Sequence, residues 1–134
     1  MALILSLGKI DLSLLKDEFG KIQTDEIIIT EERINHIKMR HPEDYSLFNI
    51  YGAICVKDPD YIIKDGKHDG TIFMVKKLED TNLNVVVRIA LETDDKGIMN
   101  SVMTFYRIRE RNLIKLIRKN SRLTGIDALL YKKE

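Results

Sequence analysis

Leu83 to Leu91 reads L-N-V-V-V-R-I-A-L, a run too short for a typical helix, rich in β-branched residues and alternating with period two. Val85, Val87, Ile89 and Leu91 share one face of the strand this predicts, and Arg88 emerges on the other, between Val86 and Ala90. An arginine at mid-strand is costly to bury alone. It reaches solvent, pairs with an acid such as Asp80 or Glu92, or binds an anion.

Working outward, the same patterning recurs on both sides. Tyr61 to Lys64 and Thr71 to Leu78 are separated by Lys67-His68-Asp69-Gly70, which reads as a turn; the strand holding Arg88 extends from Leu83 to Thr93. After a turn at Asp94 to Gly97 comes a strand from Ile98 to Arg107. These are hairpin-connected antiparallel strands. In the last of them, alternation puts Asn100, Val102, Thr104 and Tyr106 on one face and Ser101, Met103, Phe105 and Arg107 on the other. A basic helix at about Ile108 to Asn120 follows, and Ala128 to Tyr131 adds a last short strand.

The first half of the chain is helical in character. A short apolar segment, Ala2 to Leu7, precedes a weak helix around Asp11 to Phe19 and a strand at Glu26 to Ile29. Thr30 followed by Glu31 and Glu32 starts a helix, because the hydroxyl accepts an orphan backbone N–H and the acids oppose the positive dipole end. At about 100° per residue, Arg33, His36 and Arg40 fall on one side and Ile34, Ile37 and His41 on the neighbouring one. Pro42 opens a second helix, which carries Tyr45, Phe48, Ile50, Tyr51 and Ile54 and stops near Asp58-Pro59. Helices first and a meander afterwards predict an α+β fold, with N-terminal helices packed on a curved antiparallel sheet of about four strands and a basic C-terminal helix after it.

Composition bounds the function classes. A chain of 134 residues, 44% hydrophobic and 32% charged, suits one globular domain. Its apolar runs are too short to span a bilayer. Met1 to Leu7 lacks the features of a signal peptide, and one cysteine builds no internal disulfide, so a reducing cytoplasm is expected. Neither His36 and His41, five apart, nor the single Cys55 gives metal-ligand spacing, and no cofactor is expected. The net charge of +1 hides an asymmetry, since residues 106–134 hold nine Lys/Arg against three acids. Arg107, Arg111, Lys115, Arg118 and Arg122 recur every three or four residues, forming a ridge that is either a solvated helix face or a track for a nucleic-acid backbone.

Arg33-x-x-His36 running into Arg40-His41-Pro42, then Asp58-Pro59-Asp60, a β-hairpin, a strand with Arg88 and finally Asn100-Ser101-x-x-Thr104 resembles the phage- and mobile-element-borne nucleases of the Barnase/EndoU/colicin/RelE fold. The resemblance covers about residues 26–134 of a single domain and leaves 1–25 as an N-terminal extension. It implies a metal-independent ribonuclease site on the concave face of a four-stranded sheet. Carried over by position, it marks His36, His41, Arg88, Ser101 and Thr104 as catalytic candidates, with Arg33, Arg40, Lys76, Tyr106, Arg107 and Arg111 around the substrate.

The expected activity is then endonucleolytic cleavage of RNA by its own 2′-OH, giving a 2′,3′-cyclic phosphate and a 5′-hydroxyl. Such a reaction needs a base for the 2′-OH, an acid for the leaving 5′-oxygen and donors for the charge growing on the phosphate. His36 is the first choice for base or acid and Arg88 for the phosphate. The second proton-transfer group is open among His41, Tyr106, Lys76 and Tyr131. A toxin or effector role would bring in a neutralising antitoxin or immunity protein. The alternatives are a non-catalytic module binding nucleic acid or protein through the same basic surface, and a domain that holds a partner strand at a sheet edge.

Overall fold

A computed structural model describes residues 3–134; Ala2, first residue of the predicted apolar segment, lies outside them. The chain is α+β, but its sheet is larger than expected and mixed. Seven strands stand in the order β1-β2-β6-β5-β4-β3-β7, formed by Ile4–Lys9, Glu26–Thr30, Tyr61–Lys64, Thr71–Lys77, Asn82–Arg88, Asn100–Ile108 and Leu129–Lys132, numbered β1 to β7 along the chain. Four α-helices, α1 to α4, span Lys16–Phe19, Glu31–Arg40, Pro42–Lys57 and Glu110–Thr124. The predicted four-stranded antiparallel sheet is therefore incorrect. Its four strands are present as β3 to β6, and three more extend it at both sides.

The physical reason lies in β2 and in the chain ends. Ile27, Ile28 and Ile29 are all buried, so this strand hides both faces, as a strand inside a sheet must. It pairs parallel to β6 (Ile27 with Asn100, Ile28 with Ser101) and antiparallel to β1. The residues read as an extension thus supply the edge strand. At the opposite edge β7 pairs with β3.

Each face of the sheet has its own core. Alternation sends Val85, Val87 and Ile89 of the β5 segment toward α3, whose Phe48, Cys55 and Val56 join them in one cluster; the Phe48 ring stacks on Phe105 at 3.9 Å between centroids. Ile37 anchors α2 in the same cluster, and α2 begins as predicted, with the Thr30 hydroxyl accepting the Arg33 N–H at 3.2 Å. On the other face, Leu113 of α4 packs with Ile63, Phe73, Val75 and Val86, supported by Leu116 and Ile117. The protein is three layers deep: α2 and α3, the sheet, α4.

One irregularity changes which side chains share a face. In the β5–β6 pairing Val86 stands opposite Thr104 but Val87 opposite Val102, so Met103 is an extra residue in a β-bulge. The phase of β6 reverses there. Ser101, which strict alternation places with Phe105, stands opposite Arg88 and joins Thr104 and Tyr106 on the α4 side, while Phe105 and Val102 face α3.

Candidate active site on the open sheet face

Beside α4, the sheet leaves a depression of ≈ 670 Å³ that β4, β5, β6 and the β3–β4 turn line with Asp65, His68, Thr71, Arg88, Thr104 and Tyr106. The turn positions its histidine by local bonds. Asp65 is 9% exposed; its Oδ1 accepts the Lys67 N–H at 2.8 Å and its Oδ2 lies 3.0 Å from His68 Nδ1. A carboxylate facing Nδ1 selects the tautomer with the proton there, so Nε2 presents a lone pair. The His68 side chain is 71% exposed. Between these residues the Gly66 N–H donates to Asn120 Oδ1 of α4 at 2.8 Å. A Cβ on Gly66 would stand 2.7 Å from the Leu123 Cβ, so glycine allows the turn to sit this close to the helix.

Arg88 forms the floor. Its Nη2 lies 2.9 Å from Asp94 Oδ1 and its Nη1 donates to the Ile89 carbonyl, which leaves further N–H donors for a ligand. The acid that pairs with it is Asp94 of the β5–β6 loop, not Asp80 or Glu92. Asp94 also accepts the Leu91 N–H at 2.8 Å; that bond first, and Arg88 second, hold its carboxyl below the usual carboxylate range. β5 ends at Arg88 and not at Thr93; beyond it the Ala90 and Leu91 N–H groups donate to the side chains of Asn100 and Asp94. The guanidinium lies over Gly70, where a Cβ would be 2.8 Å from Arg88 Cζ and where φ is +77°. Both facts require glycine.

Tyr106 completes the wall. Burial pushes its hydroxyl above the ordinary phenol value, and the amide of Asn84, its cross-strand neighbour, pulls the other way. The amide is close enough to the hydroxyl to favour the phenolate, yet neither of its polar atoms forms a hydrogen bond of regular geometry with any group.

Three of the predicted site residues, Arg88, Thr104 and Tyr106, are thus brought together. Ser101 shares their face, but its hydroxyl donates to the Met99 carbonyl at 3.2 Å and does not line the cavity. The others lie elsewhere. Arg33 and His36, on α2 in the opposite layer, border a hollow of ≈ 270 Å³ with Thr30 and Glu32; Arg40 and His41 are exposed where α2 meets α3. Lys76 is held by the Asp58 carbonyl at 2.9 Å and by the Asp58 and Asp60 carboxylates. Arg107 pairs with Asp44 of α3 at 2.8 Å and, with Arg109 and Arg111, borders a separate cavity of ≈ 820 Å³ at the start of α4. Tyr131 packs against the α3-side core.

Sequence reading missed Asp65 and His68 because Lys67 to Gly70 satisfied the pattern of a turn. The available signal was Asp65-x-x-His68 itself, a spacing that lets a carboxylate reach an imidazole across a tight turn. Cys55 offers no nucleophile, since burial pushes its thiol up to about 12. Among the described residues no three His, Cys, Asp or Glu donors converge as a metal site, and no helix is long and apolar enough to cross a membrane.

No curated protein and no solved structure matches the chain. A family model, described as phage-Barnase-EndoU-ColicinE5/D-RelE like nuclease, matches residues 8–115, from within β1 to the second turn of α4. The match takes in every residue lining the open sheet face, and with most of its length covered the chain belongs to this family of phage nucleases, enzymes whose substrate is nucleic acid.

Proposed function

We propose that the protein is a metal-independent endoribonuclease whose active site is the open sheet face. The observation that carries this reading is the Asp65–His68 pair, 3.0 Å apart, opening onto a cavity floored by Arg88. Asp65 orients the ring; His68 Nε2 takes the proton of the ribose 2′-OH as that oxygen attacks the adjacent phosphorus. The guanidinium of Arg88 and the hydroxyl of Thr104 donate to the phosphate oxygens as charge grows on them. The products are a 2′,3′-cyclic phosphate and a 5′-hydroxyl end. His36, His41 and the arginines beside them take no step in this scheme, because their helix lies in the other layer.

A toxin or effector role in the cytoplasm, countered by a protein that covers the cavity, is the biological form of the same proposal. The experiment is incubation of the pure protein with mixed RNA in excess EDTA and analysis of the product ends. Cleavage persists, all-deoxy substrates survive, and His68→Ala lowers turnover by roughly 100-fold or more, the usual contribution of a general base, with the fold unchanged by circular dichroism. Loss of activity on chelation with recovery on adding a divalent ion would overturn the mechanism. Binding of RNA without any cleavage would favour the non-catalytic module.

A further inference from the structure

Asn84 is 0% exposed, and among the described residues its amide is the one buried side-chain group whose nitrogen and oxygen both lack a hydrogen-bond partner. The other buried asparagines are satisfied: Asn82 donates to the Ile108 carbonyl, Asn100 to those of Thr24 and Glu26, Asn120 to that of Leu116. A buried amide left unpaired weakens a fold, and an apolar side chain of the same shape would not. Its place is specific. Asn84 stands between Val75 of β4 and Tyr106 of β6 in the pairing register, on the same face as Val86 and Arg88, and Tyr106 lines the cavity that His68, Arg88 and Thr104 share.

We propose that Tyr106 is the general acid of the ribonuclease reaction and that Asn84 is its positioning residue, an N–H donor held in reserve for the phenolate. The inference rests on the ribonuclease reading above and supplies the proton donor that reading leaves unassigned. As the 2′-oxygen forms its bond to phosphorus and yields its proton to His68, the bond from phosphorus to the 5′-oxygen breaks. That oxygen takes the Tyr106 proton. The phenolate left behind receives a hydrogen bond from Asn84 Nδ2, and solvent then removes the proton from His68 and restores the one on Tyr106. An amide unsatisfied before reaction and satisfied as charge develops favours the transition state over the ground state.

Burial raises the Tyr106 hydroxyl above its ordinary value and Asp65 adds to that effect, both of which disfavour the phenolate, while the Asn84 amide opposes them. The hydrogen bond from Asn84 Nδ2 is what offsets this cost as the proton leaves. The other charged or titratable groups lining the cavity are His68 and Asp69 of the turn and Arg88 of β5; α4 contributes none.

The test compares an RNA oligonucleotide cleaved by the wild-type protein with the same molecule carrying sulfur in place of the bridging 5′-oxygen. A thiolate leaves without protonation. Tyr106→Phe should slow cleavage of the oxygen substrate by roughly 100-fold or more and of the sulfur substrate by less than about 3-fold. Asn84→Leu should show the same selectivity to a smaller degree, about 10-fold on oxygen, with a melting temperature equal to or above wild type. Equal losses on both substrates, or no loss in either variant, would overturn the assignment while leaving the ribonuclease reading intact. Failure of the wild-type protein to cleave any RNA would remove that reading and this inference together. If Tyr106→Phe does not fold, the leaving-group selectivity of Asn84→Leu decides alone.

Discussion

Arg88 is the residue on which structure and chemistry meet most directly. Its pair with Asp94 is partly exposed, with side-chain exposures of 34% and 21%, and solvent screening leaves such pairs a small part in stability. Arg88→Lys keeps the charge but loses the planar fork, so activity should fall roughly 100-fold while the melting temperature drops by no more than a few degrees. Paired melting and RNA-cleavage measurements check this; an unstable variant with normal activity per folded molecule would take Arg88 out of the site. Because the Asp94 carboxyl is depressed on folding, the stability it contributes is fully present above the ordinary carboxylate value. It is lost as pH falls through the lowered one. Gly70→Ala meets both a positive φ and the guanidinium, which costs about 1–3 kcal/mol and displaces Arg88, so stability and activity should fall together. An alanine variant as stable as wild type would show that the guanidinium moves aside freely.

At the scale of elements, period two made β5 legible down to the face from which Arg88 projects, and the hydroxyl of Thr30 made the start of α2 legible. Other features left no trace. The bulge in β6 is invisible because Val102, Met103 and Thr104 fit either phase of a strand, and only pairing with Val86 and Val87 settles the count. The parallel seat of β2 was hidden for a related reason: Ile27 to Ile29 announces a strand buried on both sides but not its neighbour. His68 was missed because a sequence that makes a good turn looks complete without a task. Deleting Met103 tests the bulge. With one residue fewer, plain alternation already sets Val102 opposite Val87 and Ser101 opposite Arg88, so both faces keep their side chains and the melting temperature should stay within a few degrees of wild type. Loss of Met103 from the cavity lining should lower activity. A drop of about ten degrees or more on thermal melting would mean that the fold itself depends on the bulge.

For the molecule as a whole, the bond from Gly66 to Asn120 joins parts of the chain that differ in kind. Gly66 lies within residues 8–115, the span the family model matches, and Asn120 lies beyond it. Asn120 is 4% exposed, and its side-chain Nδ2 donates to the Leu116 carbonyl at 2.9 Å. Replacing it with alanine should cost about 1–3 kcal/mol and lower turnover more than RNA affinity, since the turn it steadies carries the imidazole; equal effects on both would argue against that link. The shared portion of the sequence is accordingly not self-sufficient. A version ending at residue 115 would keep every cavity-lining side chain, yet lose most of α4 and all of β7, and with them the outer brace of the turn. Kinship with the family is written in one stretch of the chain, and the rigidity its chemistry demands is furnished by another.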